Sequence, residues 1–440
     1  MTISLGWLVL VGAGSPAVLF ALLGGASLAG RPPSERWTGA LTAGAMLVSC
    51  VALTVALVVY GLTGTTIRLL SYGAWADSYT GGVPLDFLVD RFSLAFASLS
   101  AAILGIVSAF SNRYLHREPG YHRYFVLLTM FATGMMFVAL AGNVEVLFVG
   151  WELVGLSSAL LVGFFHERPA PVSNALRVFA VYRISDAAML SAAVLLRHVA
   201  GTDSLALLFS GVRTLSTVGL TETSATMIGV LLIVAVACKS ALLPFSGWLP
   251  RAMEGPTPSS AVYYGSLSIH AGCFLLLRSA PLLEHSIAAR LLAGGLGAGT
   301  AIFAAVTTRV QSDVKSSLAY AALTQVGLIV VEISIGWYTV AFVHMAGHAC
   351  FRLLQFLSAP NVLHDLHGIE DATRVRPAPS RTLFLLAIER GFLDSFLDRG
   401  IADPFTWLAR RLTRLDQWLC DAVVPAERLA IVEEREDRDE

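Results

Sequence analysis

Between Leu5 and Ala359 the chain returns repeatedly to apolar stretches of roughly 20 residues, the length at which a helix crosses the about 30 Å hydrocarbon core of a bilayer. About eleven stretches satisfy that rule, at approximately 5–30, 38–63, 86–110, 122–141, 143–165, 174–200, 225–249, 258–280, 287–308, 314–336 and 337–359. Helices are expected, because a transmembrane barrel would show alternating segments of about ten residues and these runs are continuous. Composition agrees: 55% of the 440 residues are hydrophobic, 14% are charged and the mean hydropathy is +0.69. So little polar surface cannot cover a water-soluble body of this size. The expected fold is therefore all-α, a polytopic transmembrane helix bundle.

The first run, Leu5 to Gly30, has neither a basic n-region nor an A-x-A-like cleavage site, so it reads as a span and not as a leader. Cys50, Cys238, Cys273, Cys350 and Cys420 include no C-x-x-C pair, and all but Cys420 lie in apolar runs. That argues against disulfides, zinc and iron–sulfur clusters, and neither metal nor cofactor is expected. A net charge of −1 gives no basic field for nucleic acid. Basic loop residues on the side of Arg31, Arg113, Arg168 and Arg309 outnumber those on the side of Arg68, Arg197, Arg213 and Arg290 by about ten to five. This bias puts the N-terminus outside and, after an odd number of spans, the C-terminus in the cytoplasm; the expected location is the cell inner (plasma) membrane.

Composition shifts after Leu366. From Arg374 to Val424 charged and apolar residues alternate, and Phe405, Leu408, Leu412, Leu415 and Leu419 recur at helical spacing opposite Arg410, Arg411 and Arg414. This is the pattern of an amphipathic helix lying on a membrane or on a partner. The terminal EEREDRDE reads as a solvated tail. The expected organisation is N-terminal spans (1–110), spans that include a broken helix (111–280), a further set of spans (281–366) and a cytoplasmic amphipathic segment with a charged tail (367–440).

Charges inside the spans carry the chemistry. Only two of the 30 basic residues are lysine, and one of them, Lys239, sits deep in MIGVLLIVAVACKSALLPFSGWL. An ammonium at that depth costs several kcal/mol, about 3 on insertion scales, so it should face a polar interior and have a partner. Lysine, unlike arginine, can release its proton when buried. Glu152, equally deep in LFVGWELVGLSSALLVGF, is the obvious counter-charge. Gly150, Gly155, Ser157 and Ser158 beside it permit close helix packing. Arg183 and Asp186, at i and i+3, share a helix face and form either a static ion pair or part of a relay. Pro244, Pro250, Pro256 and Pro258 interrupt the chain after Lys239, consistent with a lined half-channel or with a simple kink. His344, His348 and Arg352 share one face of the last span, and His270 is a further mid-span histidine; such groups suit a proton relay. The H-x-x-x-H spacing also suits zinc, but H-E-x-x-H is absent.

Taken in order, FLVDRFSL, YLHREPGYHRYF, GWELVGLSSALLVGF, ALRVFAVYRISDA, KSALLPFSGWLPRAMEGPTPSSA, SDVKSSLAYAALTQVG and HMAGHACFRLLQFL resemble the antiporter-like subunits of respiratory complex I and the related Mrp cation/proton antiporters. FLVDRFSL and the proline-rich loop favour the L-subunit branch. The resemblance implies an inverted-repeat core, with 111–280 as an antiporter-like first repeat and 281–366 as a shortened second one. It puts Glu152 and Lys239 in the places of the family's ion pair, Arg183 and Asp186 in those of the neighbouring pair, and His344 and His348 in those of its central histidines. Three departures stand out. Arg352 occupies a position where the family usually has lysine, and arginine does not deprotonate. Tyr264 stands where a relay histidine is frequent. The second repeat also passes straight into the amphipathic segment.

Three functions follow as expectations. The first is a proton-translocating membrane subunit of an NADH:quinone oxidoreductase-type complex, working with other membrane and peripheral subunits on H⁺ or Na⁺. No nucleotide loop or redox ligand is evident in this sequence, so electron chemistry would lie in partners. The second is the membrane subunit of a proton-driven inorganic-carbon uptake complex of the DAB type, with a zinc-bearing soluble partner. The third is a non-conducting membrane scaffold.

Overall fold

The computed structural model describes residues 2–64, 67–76, 82–202, 204–205, 219–311, 313–358, 381–397, 399–400 and 403–423. Contacts divide the chain into two units, Met1–Pro377 and Ala378–Glu440.

In the first unit, eleven helices among the described residues are long and apolar enough to cross a membrane. They are α1 (Thr2–Leu28), α2 (Glu35–Thr63), α3 (Arg91–Tyr114), α4 (Tyr121–Leu140), α5 (Val144–Val162), α6 (Pro169–Ala200), α7 (Glu222–Lys239), α8 (Thr257–Arg278), α9 (Ile287–Thr308), α10 (Val314–Ser334) and α11 (Tyr338–Ser358). Each answers to one of the spans expected from sequence. Their starts are set by side chains that satisfy the free amides of a first turn. Asp90 accepts from Ser93 N at 2.7 Å, Asn143 from Val146 N at 2.8 Å and Asp313 from Ser316 N at 2.8 Å. Thr221 and Ser224 cap α7 reciprocally.

The helices pack closely where side chains are small. A Cβ on Gly134 of α4 would meet the Gly150 carbonyl of α5 at 2.8 Å, and a Cβ on Gly327 of α10 would crowd the Gly297 carbonyl of α9. Such contacts let dispersion hold helices together where lipid removes the hydrophobic drive. α4 lies almost wholly inside, whereas Leu22, Val51, Leu291, Ile302 and Val343 present large apolar side chains outward, as a lipid-facing surface requires.

Two boundaries differ from the sequence reading. Residues 86–89, expected to open the third span, belong instead to a strand. β1 (Arg68–Ala76) and β2 (Val83–Val89) form an antiparallel pair with Leu70 opposite Phe87 and Ser71 opposite Asp86. FLV is as apolar as the helix that follows, so hydropathy runs through the junction. Asp90, as cap, sets the real start, and its carboxylate also pairs with Arg278 at the end of α8. The span expected over 225–249 stops at Lys239, because the following turns, with Pro244 and Pro250, cannot continue the helix. The Cys238 carbonyl left at the break accepts from Trp248 Nε1 at 2.9 Å.

The second unit contains α12 (Arg381–Ile388), a short α13 (Leu393–Leu397) and α14 (Asp403–Val423). On α14, Leu408, Leu412, Leu415, Trp418 and Leu419 are exposed, as are Arg410, Arg411 and Arg414. The Arg411 guanidinium lies 5.3 Å from the Trp407 ring centre. The expected solvated tail EEREDRDE, the Phe405 side chain and Arg213 lie outside the described residues.

Candidate functional site

Lys239 is the last residue of α7 and is fully buried. It stands in the last turn of its helix, where the helix dipole favours a cation. Nζ donates to the Trp151 carbonyl of α5 at 3.0 Å and sits 4.4 Å from the Tyr182 ring centre and 4.9 Å from that of Trp151. Gly155, one turn beyond Trp151, opens this approach: a Cβ there would lie 3.0 Å from Nζ. The cradle is braced from outside. Trp151 Nε1 donates to Ser185 Oγ at 3.1 Å, and Ser185 donates in turn to the Ala235 carbonyl at 2.9 Å, tying α5, α6 and α7 together. Tyr182 meets Trp248 edge-on, Trp248 meets Tyr264 likewise, and Tyr264 donates to the Ser158 carbonyl at 3.1 Å.

Glu152 does not pair with Lys239, contrary to the sequence reading. Trp151 and Glu152 are adjacent on α5, so they point some 100° apart; the backbone of one receives the lysine while the other turns toward α6. Glu152 Oε2 accepts from Arg183 Nη2 at 2.7 Å, and the same Nη2 lies 2.7 Å from Asp186 Oδ2 without being aimed at it. Among the described residues, then, one guanidinium joins two carboxylates and the lysine rests on neutral acceptors. Asp186, Glu152 and Arg183 act on the Lys239 charge only at longer range.

The second cluster joins α8 and α11. The chain from Ser260 to Ser266 is a π-helix, a wide turn frequent at functional sites, and one turn beyond it stands His270. His270 Nδ1 is 2.6 Å from the Ser266 carbonyl, His270 Nε2 is 2.9 Å from His348 Nδ1, and Arg352 Nε donates to His348 Nε2 at 3.0 Å. All three side chains are buried. Donor chemistry fixes the hydrogens here. Arginine only donates and a carbonyl only accepts, so His348 carries its hydrogen on Nδ1, gives it to His270 Nε2, and His270 donates from Nδ1. Both rings are neutral in this arrangement. Arg352 Nη1 donates further to Gln355 Oε1 at 2.7 Å.

Segment 141–377 matches the family described as NADH:quinone oxidoreductase/Mrp antiporter, transmembrane region. The chain belongs to this family. Residues 75–125 also match the N-terminus of NADH-ubiquinone oxidoreductase (complex I) chain 5. NADH-ubiquinone oxidoreductase chain 5 of Cryptococcus neoformans is 33% identical over 350 residues, covering 80% of this chain and 52% of that one. NADH-quinone oxidoreductase subunit L of Mycobacterium tuberculosis is 34% identical over 298 residues, 67% of this chain and 46% of its own. The chain thus spans about half the length of the curated relatives it matches. Among solved structures, a chain of the Mrp complex from a Dietzia species superposes with a TM-score of 0.64 at 29% identity, over 81% of this chain and 36% of that one. The membrane-bound sulfane sulfur reductase, an archaeal respiratory complex, shares the fold at TM-score 0.68 and 20% identity, over 80% of this chain and 70% of its own.

In this member of the NADH:quinone oxidoreductase/Mrp antiporter family, seven of the eight residues singled out from sequence fall into two groups. Glu152, Arg183 and Asp186 gather beside Lys239, and His270, His348 and Arg352 form a hydrogen-bonded line. His344 lies 6.4 Å from His348 between ring centres, and its direct partners are residues the sequence reading passed over. Glu332 Oε1 is 2.9 Å from His344 Nδ1, and Gln325 Oε1 is 3.0 Å from His344 Nε2. The available signal was the short turn between α10 and α11, across which Glu332 and His344 are equidistant from Tyr338.

Proposed function

We propose that this chain moves protons across a membrane as the antiporter-like subunit of an NADH:quinone oxidoreductase-type assembly. In this reading Glu152, Arg183 and Asp186 control the charge near Lys239, Lys239 alternately holds and releases a proton, and His270, His348 and His344 carry protons beside the fixed charge of Arg352. One observation carries the proposal: Lys239 is fully buried, yet its ammonium is held by a neutral carbonyl and two aromatic faces and, among the described residues, by no carboxylate in direct contact. A lysine locked in an ion pair is a poor carrier. One held by neutral groups in a low dielectric can give up its proton when a nearby charge changes.

Residues 111–280 would form one repeat around Lys239 and 281–366 a shortened second one around His344, His348 and Arg352. Partner membrane and peripheral subunits, to which relatives belong by name, would supply the electron chemistry. In the plasma membrane, the proposed location, the loop arginines favour an N-terminus outside and a C-terminus in the cytoplasm. α14, apolar on one side and basic on the other, suits docking on a lipid surface or a partner. The matches do not favour the inorganic-carbon or scaffold readings.

Lys239→Ala tests the proposal. Purified assembly carrying it should remain inserted while driven proton uptake into vesicles falls to background. Parental flux in that variant would refute the role of Lys239, and sodium-dependent flux without proton movement would refute the choice of ion.

A further inference from the structure

The histidine line changes polarity along its length. His348 and His270 are each fixed as neutral rings, because Arg352 donates to one end and the Ser266 carbonyl accepts at the other. At His344 the Glu332 carboxylate can only accept, so Nδ1 carries a hydrogen and donates it there, while the Gln325 side-chain amide holds Nε2. The Nδ1 hydrogen of His344 therefore faces a carboxylate, where that of His348 faces a neutral ring. That carboxylate is largely enclosed: its side chain is 19% exposed, and Oε2 is buried with no hydrogen-bond partner among the described residues.

Glu332 stands two residues before the end of α10, where Ile335 and Gly336 turn the chain into α11. Gly336 and the four residues after it line a crevice of about 820 Å³ at the end of the bundle that also holds Asp90, Arg278 and Glu284. Val340, on its wall, is one turn before His344 on α11. The Glu332 carboxylate, whose Oε2 is buried without a hydrogen-bond partner among the described residues, thus meets His344 directly and stands four residues before Gly336 of the crevice lining.

We propose that Glu332 is a proton-exchanging residue at this mouth, shuttling protons between the crevice on the side of the N-terminus and His344, with Gln325 holding the ring in place. The step balances simply. When the ring holds a proton on both nitrogens, His344 Nδ1–H breaks as that proton passes to Glu332 Oε1, leaving a neutral ring and a neutral carboxyl; Glu332 then releases the proton toward the crevice and returns to carboxylate. Run backwards, the same step loads the ring. Gln325 is a positioning residue that takes no proton. The inference rests on the proton-moving reading above, and it concerns a residue outside the Lys239 cluster.

The test is vesicle proton flux by the complete assembly, with Glu332→Gln, Glu332→Asp and Gln325→Leu compared with Lys239→Ala. Glu332→Gln keeps the shape and an oxygen for His344 but cannot cycle a proton; flux should fall by about 100-fold, the scale of a lost proton-transfer group. Glu332→Asp should recover much of it, and Gln325→Leu should lower flux without abolishing it. In the unaltered assembly a hydrophobic carbodiimide, which attacks protonated carboxyls, should modify Glu332 during turnover, and peptide mass spectrometry locates the adduct. Parental flux in Glu332→Gln overturns the inference, as does equal loss in the Gln and Asp variants or an unmodified Glu332 in the carbodiimide experiment. If Lys239→Ala is silent and Glu332→Gln is not, it is the Lys239 reading that fails.

Discussion

Gly155→Ala is the sharpest probe of the Lys239 cradle, because it adds one methyl group and alters no charge. The new Cβ would stand 3.0 Å from Nζ and 3.4 Å from Tyr182 Cδ2, where ordinary contact begins near 3.4 Å. The tyrosine is barely touched, so the ammonium must retreat by roughly 0.4 Å, which stretches its 3.0 Å bond to the Trp151 carbonyl toward the limit of a hydrogen bond. A hydrogen bond to a charged group contributes about 1.5–3 kcal/mol, and losing part of it weakens the hold on the ammonium by about 1 kcal/mol. Since each 1.4 kcal/mol is about tenfold, flux should fall about fivefold. Folding should not suffer, because alanine is favoured over glycine in a helix by about 1 kcal/mol. The assay is proton uptake by vesicles normalised to inserted protein, with Gly44→Ala on α2, where a methyl meets nothing within 4 Å, as the control. Equal flux in both variants and the parent would show that the exact seat of Nζ has no bearing on transport.

Two further substitutions test other parts of the fold. Arg352→Lys keeps a donor for His348 Nε2 and should preserve or raise flux, whereas Arg352→Ala frees that nitrogen for a second proton and should give flux without the driving partner; parental behaviour in both would make Arg352 a structural group. Asp90→Ala removes the cap of α3 and strands the mostly buried Arg278, and should cost several kcal/mol, about 1 from the cap and about 3 from the unpaired cation. It should read out as a lower melting temperature in detergent, with Asp90→Asn, which retains a capping oxygen, falling in between.

Much of the architecture was legible because a bilayer imposes a length: every run of about 20 apolar residues became a helix. Boundaries were legible only where composition changes. At Val89 and at Lys239 the apolar run continues while the backbone does not, and a cap in one case and prolines in the other decide where a helix begins or ends. The charged residues of the first cluster were identifiable by their rarity at depth. Their pairing was not, since whether Glu152 meets Lys239 or Arg183 depends on the rotation of α5 against α6 and α7, to which hydropathy is blind. Glu332 escaped because a carboxylate near a span end reads as interfacial; only folding α10 back on α11 brings it onto a histidine.

Trp151 and Gly155 lie near the midpoint of α5, so the lysine they cradle stands about halfway through the membrane. Moving one elementary charge across a full 100 mV is worth about 2.3 kcal/mol, so a proton pausing on Lys239 divides that work into two steps of about 1 kcal/mol each. Neither step alone faces the whole membrane voltage. On the proposed reading, the opposing field therefore slows loading and release of the lysine to a similar extent, and no single step becomes the electrical bottleneck.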